Sequence, residues 1–231
     1  MAKERLDKLI ASTGRWSRRE VRVLVDGRIA GSAEEKYDAE SCRIAVNGEE
    51  LLLRRHTYVM LHKPAGVLSA TEDGRGRTVL DLLTPELRKI GVFPVGRLDK
   101  DTEGLLLLTD DGELAHALLS PKKHVDKVYY ARVSGRLTPE DCAAFEAGMT
   151  LGDGLECLPA GLEILAAGET SECLVTLREG KFHQVKRMLA ARGKPVTYLK
   201  RLSMGSLRLD DTLAPGEFRL LTAAEEAQLQ R

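Results

Sequence analysis

Apolar and polar residues alternate along this chain in two rhythms. The period of two and short apolar runs, rich in β-branched and aromatic residues, predict strands over 58–61, 105–109, 127–133, 172–177, 196–202 and 218–221. The 3.6 period predicts helices over 79–83, 113–119, 139–147, 183–191 and 223–230. Thr138 followed by Pro139 is a cap and first-turn pair, and Gly193 stands where a glycine ends a helix. Strands outnumber helices and do not alternate with them, so a doubly wound parallel sheet is disfavoured. The expected fold class is α+β: a small N-terminal α/β module followed by a larger, antiparallel-rich mixed sheet.

The first fifty or so residues have a different grain. Leu6, Leu9 and Ile10 give one short amphipathic turn. Ser17 and Glu20 fit a capping box, and Val21, Leu24 and Val25 then share a helical face that Gly27 would end. On that helix Arg18 and Arg22 lie one turn apart, away from the core. Asn47-Gly48 between apolar runs at 42–46 and 51–53 predicts a hairpin. The expected domains are therefore 1–53, a polar linker at 54–57, and 58–231.

Composition excludes several classes. Of 231 residues 43% are apolar, enough for a packed core and too many for intrinsic disorder. Apolar runs are too short to cross a bilayer, and the charged opening MAKERLDKLIASTGRW is unlike a signal peptide. Cys42, Cys142, Cys157 and Cys173 are scattered, with neither metal-type spacing nor disulfide density. A cytoplasmic location is expected.

The formal net charge is zero, but its distribution is uneven. Residues 1–28 carry +4 and residues 178–208 carry +8, leaving −12 for the rest. Two basic islands on an acidic body suit a polyanionic partner that is bound in one orientation. With one Trp, five Tyr and four Phe, a multi-aromatic stacking platform is not expected.

Phosphate-loop, nucleophile-elbow and paired-histidine metal motifs are absent from the sequence. Three segments invite a chemical reading. Gly96-Arg97-Leu98-Asp99-Lys100-Asp101-Thr102-Glu103-Gly104 sets three carboxylates and two cations before an apolar run. On loop chemistry alone it reads better as a solvated, salt-bridged loop. Lys127-Val128-Tyr129-Tyr130 reads as a half-buried strand with one tyrosine per face. Gly180-Lys181-Phe182-His183-Gln184-Val185-Lys186-Arg187-Met188-Leu189 reads as a basic helix over an apolar stripe.

In this order and spacing the segments resemble the pseudouridine synthases, most closely the family of ribosomal small-subunit pseudouridine synthase A. The likeness covers nearly the whole chain. RLDKLI and SRREVRVLVDGRI resemble the small RNA-binding domain first described in a ribosomal small-subunit protein. Tyr58 to Gly66 resembles the first strand and KPxG turn, GRLDKDTEGLLLLTDDG the catalytic motif, and EGKFHQVKRMLAARG the third motif.

The resemblance implies an isomerase that converts one uridine of ribosomal RNA to pseudouridine without metal or cofactor. Asp99 matches the catalytic aspartate, acting as nucleophile at the sugar carbon or as a base toward a sugar proton. Lys186 matches its cationic partner, although many relatives have Arg there, a bidentate fork rather than a point charge. Tyr129 matches the tyrosine that stacks on the base. Arg97 is placed to fill the space left by the flipped uridine or to hold a phosphate, His183 and Arg187 to line the RNA channel, and Arg18, Arg19 and Arg22 to dock phosphates. The expected partner is 16S ribosomal RNA or the assembling small subunit, with no membrane, and the protein is expected to be a monomer. HQVKRMLAARG and the SPKKH segment favour the small-subunit family over a large-subunit, 23S-directed synthase. A non-catalytic assembly protein that kept the fold is the alternative of another class.

Overall fold

The computed structural model describes residues 3–13, 16, 23–32, 34–37, 42–51, 56–120 and 123–229. In the N-terminal part, helix α1 (Leu6–Ser12) is followed by strands β1 (Val23–Val25), β2 (Arg28–Ile29), β3 (Ile44–Val46) and β4 (Glu49–Leu51), hydrogen-bonded in the antiparallel order β2-β1-β3-β4. Leu6, Leu9, Ile10, Val25, Ile44 and Val46 form their own buried cluster.

Two expectations are corrected here. Residues 23–25 are a strand, not the second half of a helix: alternating β-branched valines favour extended backbone. Asp26 and Gly27, with φ of 49° and 79°, make a tight hairpin turn rather than a helix end. The Asn47-Gly48 turn forms as expected, with φ of 52° and 89°. Its second strand, however, starts at Glu49 rather than Leu51, because a two-residue turn pairs Val46 directly with Glu49. The capping box at Ser17–Glu20 and the arginine stripe fall outside the described residues.

From Tyr58 the chain builds an α+β unit around a nine-stranded sheet. Its elements are β5 (Tyr58–Lys63), α2 (Pro85–Ile90), β6 (Glu103–Thr109), α3 (Gly112–Leu119), β7 (Lys127–Ser134), α4 (Pro139–Ala147), β8 (Gly161–Ala166), β9 (Thr170–Leu177), α5 (Gln184–Ala191), β10 (Val196–Met204), β11 (Phe218–Leu220) and α6 (Ala223–Leu229). The main strand order is β8-β9-β7-β10-β6-β5-β11, with Phe93–Pro94 pairing on β6 and Leu207–Arg208 on β10. Every pairing is antiparallel except that of β10 with β6, which matches only Lys200 with Glu103 and Arg201 with Gly104. This short parallel join unites two antiparallel half-sheets.

Both faces of the central strands are covered, which explains why Leu105 to Leu108 form an unbroken apolar run. Val59, Leu61, Leu106, Leu108, Ala131 and Val175 face one core with Phe145 and Met188. Met60, Leu105, Leu107 and Met204 face a second, with Ala115 and Leu118 of α3. At the start of α4, Thr138 N–H donates to Asp141 Oδ2 at 3.0 Å and Pro139 takes the first turn. Arg192 donates to the other Asp141 oxygen at 2.9 Å, tying α4 to the end of α5. Among the described residues no helix is long and apolar enough to cross a membrane.

Candidate active site

The highly charged loop before β6 is ordered through its backbone. Ser69 Oγ donates to Leu98 O at 2.9 Å and accepts from Leu98 N–H at 3.1 Å. Gly66 N–H donates to Lys100 O at 2.7 Å, and Thr102 N–H to Asp99 O at 3.1 Å. Beneath them lies Lys63, the last residue of β5, fully buried. Its ammonium donates to the carbonyls of Pro64, Lys100 and Thr102 at 3.0, 3.3 and 2.8 Å. Burial lowers the pKa of this amine to about 8, against the pull of Asp101, Asp99 and Glu103. A cation in the apolar layer is therefore spent on holding loop carbonyls. Gly104 ends the loop with φ of 107° directly against Arg201 of β10, where only a residue without Cβ fits.

The facing wall comes from the other half-sheet. Lys181 N–H donates to Gln184 Oε1 at 3.1 Å, and Gln184 Nε2 donates to the buried Glu179 at 2.6 Å. These bonds fix the turn into α5. His183 precedes the helix in the left-handed region, φ 51°, an uncommon conformation outside glycine. Val185, Met188 and Leu189 then face the core, and Lys186 is carried toward the loop.

Lys186 Nζ lies 2.8 Å from Asp99 Oδ2 and 2.6 Å from Asp101 Oδ1, so two carboxylates share one ammonium. Partial burial is the largest influence on Lys186 and opposes its charge, yet its bonds to Asp101 and Asp99 hold it above its ordinary pKa. The Lys186 hydrogen bond in turn holds Asp101 below the usual carboxylate range. His183 Nε2 stands 3.4 Å from Asp99 Oδ1. Asp99 remains about a quarter exposed, while Asp101 is mostly in solvent. The arrangement thus presents one oriented carboxylate beside a lysine at the edge of an open space.

That space is an open cleft lined by Arg97, Asp99, Thr102, Tyr129, His183 and Leu199 among others. Tyr129 is buried on the inward face of β7, paired with Arg201 and Val175. Tyr130 takes the opposite face, as side-chain alternation requires, and meets Tyr198 edge-on at 6.0 Å. Among the described residues Thr102 Oγ1 has no hydrogen-bond partner, and it is buried at the wall of the cleft.

The structure therefore brings together Asp99, Lys186, Tyr129, Arg97 and His183. It does not bring Arg187 with them: Arg187 is paired with Asp153 at 2.5 Å and is not among the cleft-lining residues. The one-turn spacing from His183 sets the height of Arg187 on α5 but not its partner. Arg18, Arg19 and Arg22 lie outside the described residues. Sequence reading passed over Asp101 as a partner of Lys186 and Lys63 as the support of the loop. The signal for Lys63 is a lysine closing the otherwise apolar strand Tyr-Val-Met-Leu-His-Lys.

Comparison with known proteins agrees with this geometry. A family model described as RNA pseudouridylate synthase matches residues 57–191. The chain is 49% identical to an uncharacterized RNA pseudouridine synthase, YtzG, of Bacillus subtilis, over 96% of both chains. It is 39% identical to the ribosomal small subunit pseudouridine synthase A of Vibrio cholerae, over 97% of this chain and 99% of that one. A solved pseudouridylate synthase crystal structure superposes with a TM-score of 0.70 at 35% identity, covering 98% of this chain and 99% of the other.

Proposed function

Because the chain belongs to the RNA pseudouridylate synthase family, we propose that it isomerises one uridine of 16S ribosomal RNA, with Asp99 acting on the sugar. The observation that carries this reading is the Asp99–Lys186 contact of 2.8 Å at a cleft that Tyr129 also lines. The 16S assignment is supported by relatives named ribosomal small subunit pseudouridine synthase A that match nearly end to end.

The reaction breaks the C–N glycosidic bond, turns the uracil, and joins a ring carbon to the same sugar carbon. The ring carbon loses a proton and the freed nitrogen gains one, so atoms and electrons balance without an external oxidant or reductant. A single carboxylate suffices for the bond-breaking step, as nucleophile or as base. Lys186 holds one oxygen of Asp99, leaving the other toward His183 and the cleft. Tyr129 offers a ring on which the displaced uracil rests while it turns, and a hydroxyl placed to receive its proton. The uridine must leave its stack to reach Asp99, at a cost of a few kcal/mol, and Arg97 is exposed at the rim to fill the gap or hold a phosphate.

Residues 1–53 act in this reading as a separate docking module in which Arg18, Arg19 and Arg22 hold phosphates, joined through 54–57 to the catalytic unit at 58–231. The protein works as a monomer in the cytoplasm on naked 16S RNA or the assembling small subunit. Primer-extension mapping of pseudouridine in ribosomal RNA from cells with the gene, without it, and with Asp99→Asn tests the whole. One 16S position should lose its signal in the last two strains. Loss from 23S RNA instead would replace the assignment with a large-subunit synthase, and an active Asp99→Asn enzyme would refute the mechanism.

A further inference from the structure

Phe182 is 72% exposed, more than any other large apolar side chain among the described residues. A single exposed apolar residue ordinarily calls for no explanation. Phe182 differs in three respects. Its ring is not free: it stacks on the imidazole of His183, with centroids 3.8 Å apart and planes within 19°. That imidazole is the group standing 3.4 Å from Asp99, so the exposed phenyl face lies one ring out from the proposed reacting carboxylate. And the backbone beneath the pair is held, by the left-handed His183 and by the Gln184 bonds to Lys181 and Glu179.

One face of the phenyl ring is therefore occupied by His183 while the rest of the ring is offered to solvent beside the cleft. Arg97 and Lys181 line the same cleft. A ligand that combines a flat aromatic surface with phosphate charge fits both features, and a nucleotide combines them. On the pseudouridine synthase reading, which this inference deepens, the cleft itself takes the target uridine. We propose that the open face of Phe182 stacks the nucleobase next to that uridine in the RNA strand.

The physical need is evident. When a uridine leaves its stack, its neighbour loses a stacking partner too, and that loss is part of the cost of flipping. Phe182 replaces the missing partner, so the flipped state is favoured without any hydrogen bond to the neighbour. Stacking tolerates every base, because each has a π-face. The shelf thus assists flipping wherever docking has placed the strand, and it does not choose the sequence.

The test uses the intact enzyme and RNA carrying uridine tritiated at the ring carbon that becomes bonded to the sugar, so that turnover releases tritium. A 16S transcript fixes the target, and a short RNA bearing that uridine then receives an abasic nucleotide on its 5′ or its 3′ side. Base–aromatic stacking predicts that Phe182→Ala raises half-saturation roughly 5- to 150-fold. Because the strand seats in the cleft only with its uridine flipped, the stacking counts in binding, and the saturated single-turnover rate should stay within about twofold of wild type, with an unchanged pH profile. Phe182→Trp should keep wild-type affinity, whereas Phe182→Leu, apolar but without a π-face, should behave as the alanine variant. An abasic neighbour on one side should cost the wild type the same factor and the alanine variant nothing more. Unchanged half-saturation in Phe182→Ala, or independent multiplication of the two losses on both sides, would overturn the proposal. Absence of tritium release by the wild type from any ribosomal RNA would instead remove the synthase reading beneath it, and the proposal with it.

Discussion

Replacing Gly104 by alanine tests whether the active-site loop depends on the join between the half-sheets. A Cβ at this position would lie 2.2 Å from Arg201 O and 2.6 Å from Arg201 N, both backbone atoms that cannot swing away. The φ of 107° adds a backbone penalty of about 1–3 kcal/mol for any residue with a Cβ. Relieving the clash requires β6 and β10 to part by about 1 Å. That opens a ladder of only two residue pairs, at about 1 kcal/mol for each hydrogen bond weakened. The total comes to about 3–5 kcal/mol, a large part of the 5–15 kcal/mol typical of a folded domain. Gly91→Ala is the control: φ there is 85°, but nothing lies within 4 Å of the added Cβ, so only the backbone penalty of about 1–2 kcal/mol remains. Urea denaturation followed by circular dichroism should separate the two variants by about 2–3 kcal/mol. Since Asp99 sits five residues upstream, folded Gly104→Ala should also be slower by roughly a hundredfold in single-turnover rate. If Gly104→Ala were as stable and as active as Gly91→Ala, the join would not be the determinant described here.

Asp99→Asn should abolish pseudouridine formation while RNA binding stays near wild type in a filter assay. Asp101→Asn should cost fivefold or less in the tritium-release rate, because Asp101 is mostly exposed and a solvent-exposed ion pair is worth about 0–1 kcal/mol. Tyr129→Phe should stall late with RNA still bound, and Tyr130→Phe, on the other sheet face, should be nearly silent; the reverse outcome in a quenched-flow assay would refute the facing of β7. Below pH 8 Lys63 is protonated in both folded and unfolded chains, so it adds no pH dependence there. Between about 8 and its ordinary 10.5 the unfolded chain binds more protons, and stability from this group should rise by up to about 3 kcal/mol; denaturation curves of Lys63→Met should lack that rise. Deleting residues 1–53 should weaken RNA binding and flatten its salt dependence, by about one unit of log–log slope for each phosphate no longer held, leaving the saturated rate nearly intact.

The central strands of the large unit were legible because each carries a strong local signal: β-branched and aromatic alternation in β7 and β9, an apolar run in β6. Helix α4 was legible to the residue through Thr138 and Pro139. Besides two-residue strands such as Phe93–Pro94 and Leu207–Arg208, two longer elements escaped notice. Strand β8 is mostly exposed on a sheet edge and starts with Gly161, so no alternation marks it. Helix α2 has only six residues, too few to show a period. The expected helix fails at residues 23–26 because the short-range spacing of apolar residues there satisfies both rhythms, and the Asp26-Gly27 turn decides between them only when φ is known. Asp99, Tyr129 and Lys186 were visible through motif resemblance, but the sharing of Lys186 by Asp101 and the diversion of Arg187 to Asp153 are three-dimensional facts. Each pairs residues too far apart in sequence for periodicity to register.

The two half-sheets divide the proposed reaction centre between them. Arg97, Asp99 and Thr102 come from one, Tyr129, His183 and Lys186 from the other, and the Lys186–Asp101 contact spans 85 positions of chain. Such a centre has no fragmentary form. During synthesis the first half-sheet can pair β5 with β6 and bury its leucines while its aspartate still faces no cation and no aromatic wall. Contacts of this range are also the slow ones in folding, since loop closure must precede them. The proposed centre is therefore absent from the newly made chain until both half-sheets have joined, and its assembly is a readout of the folding of the unit from Tyr58 onward.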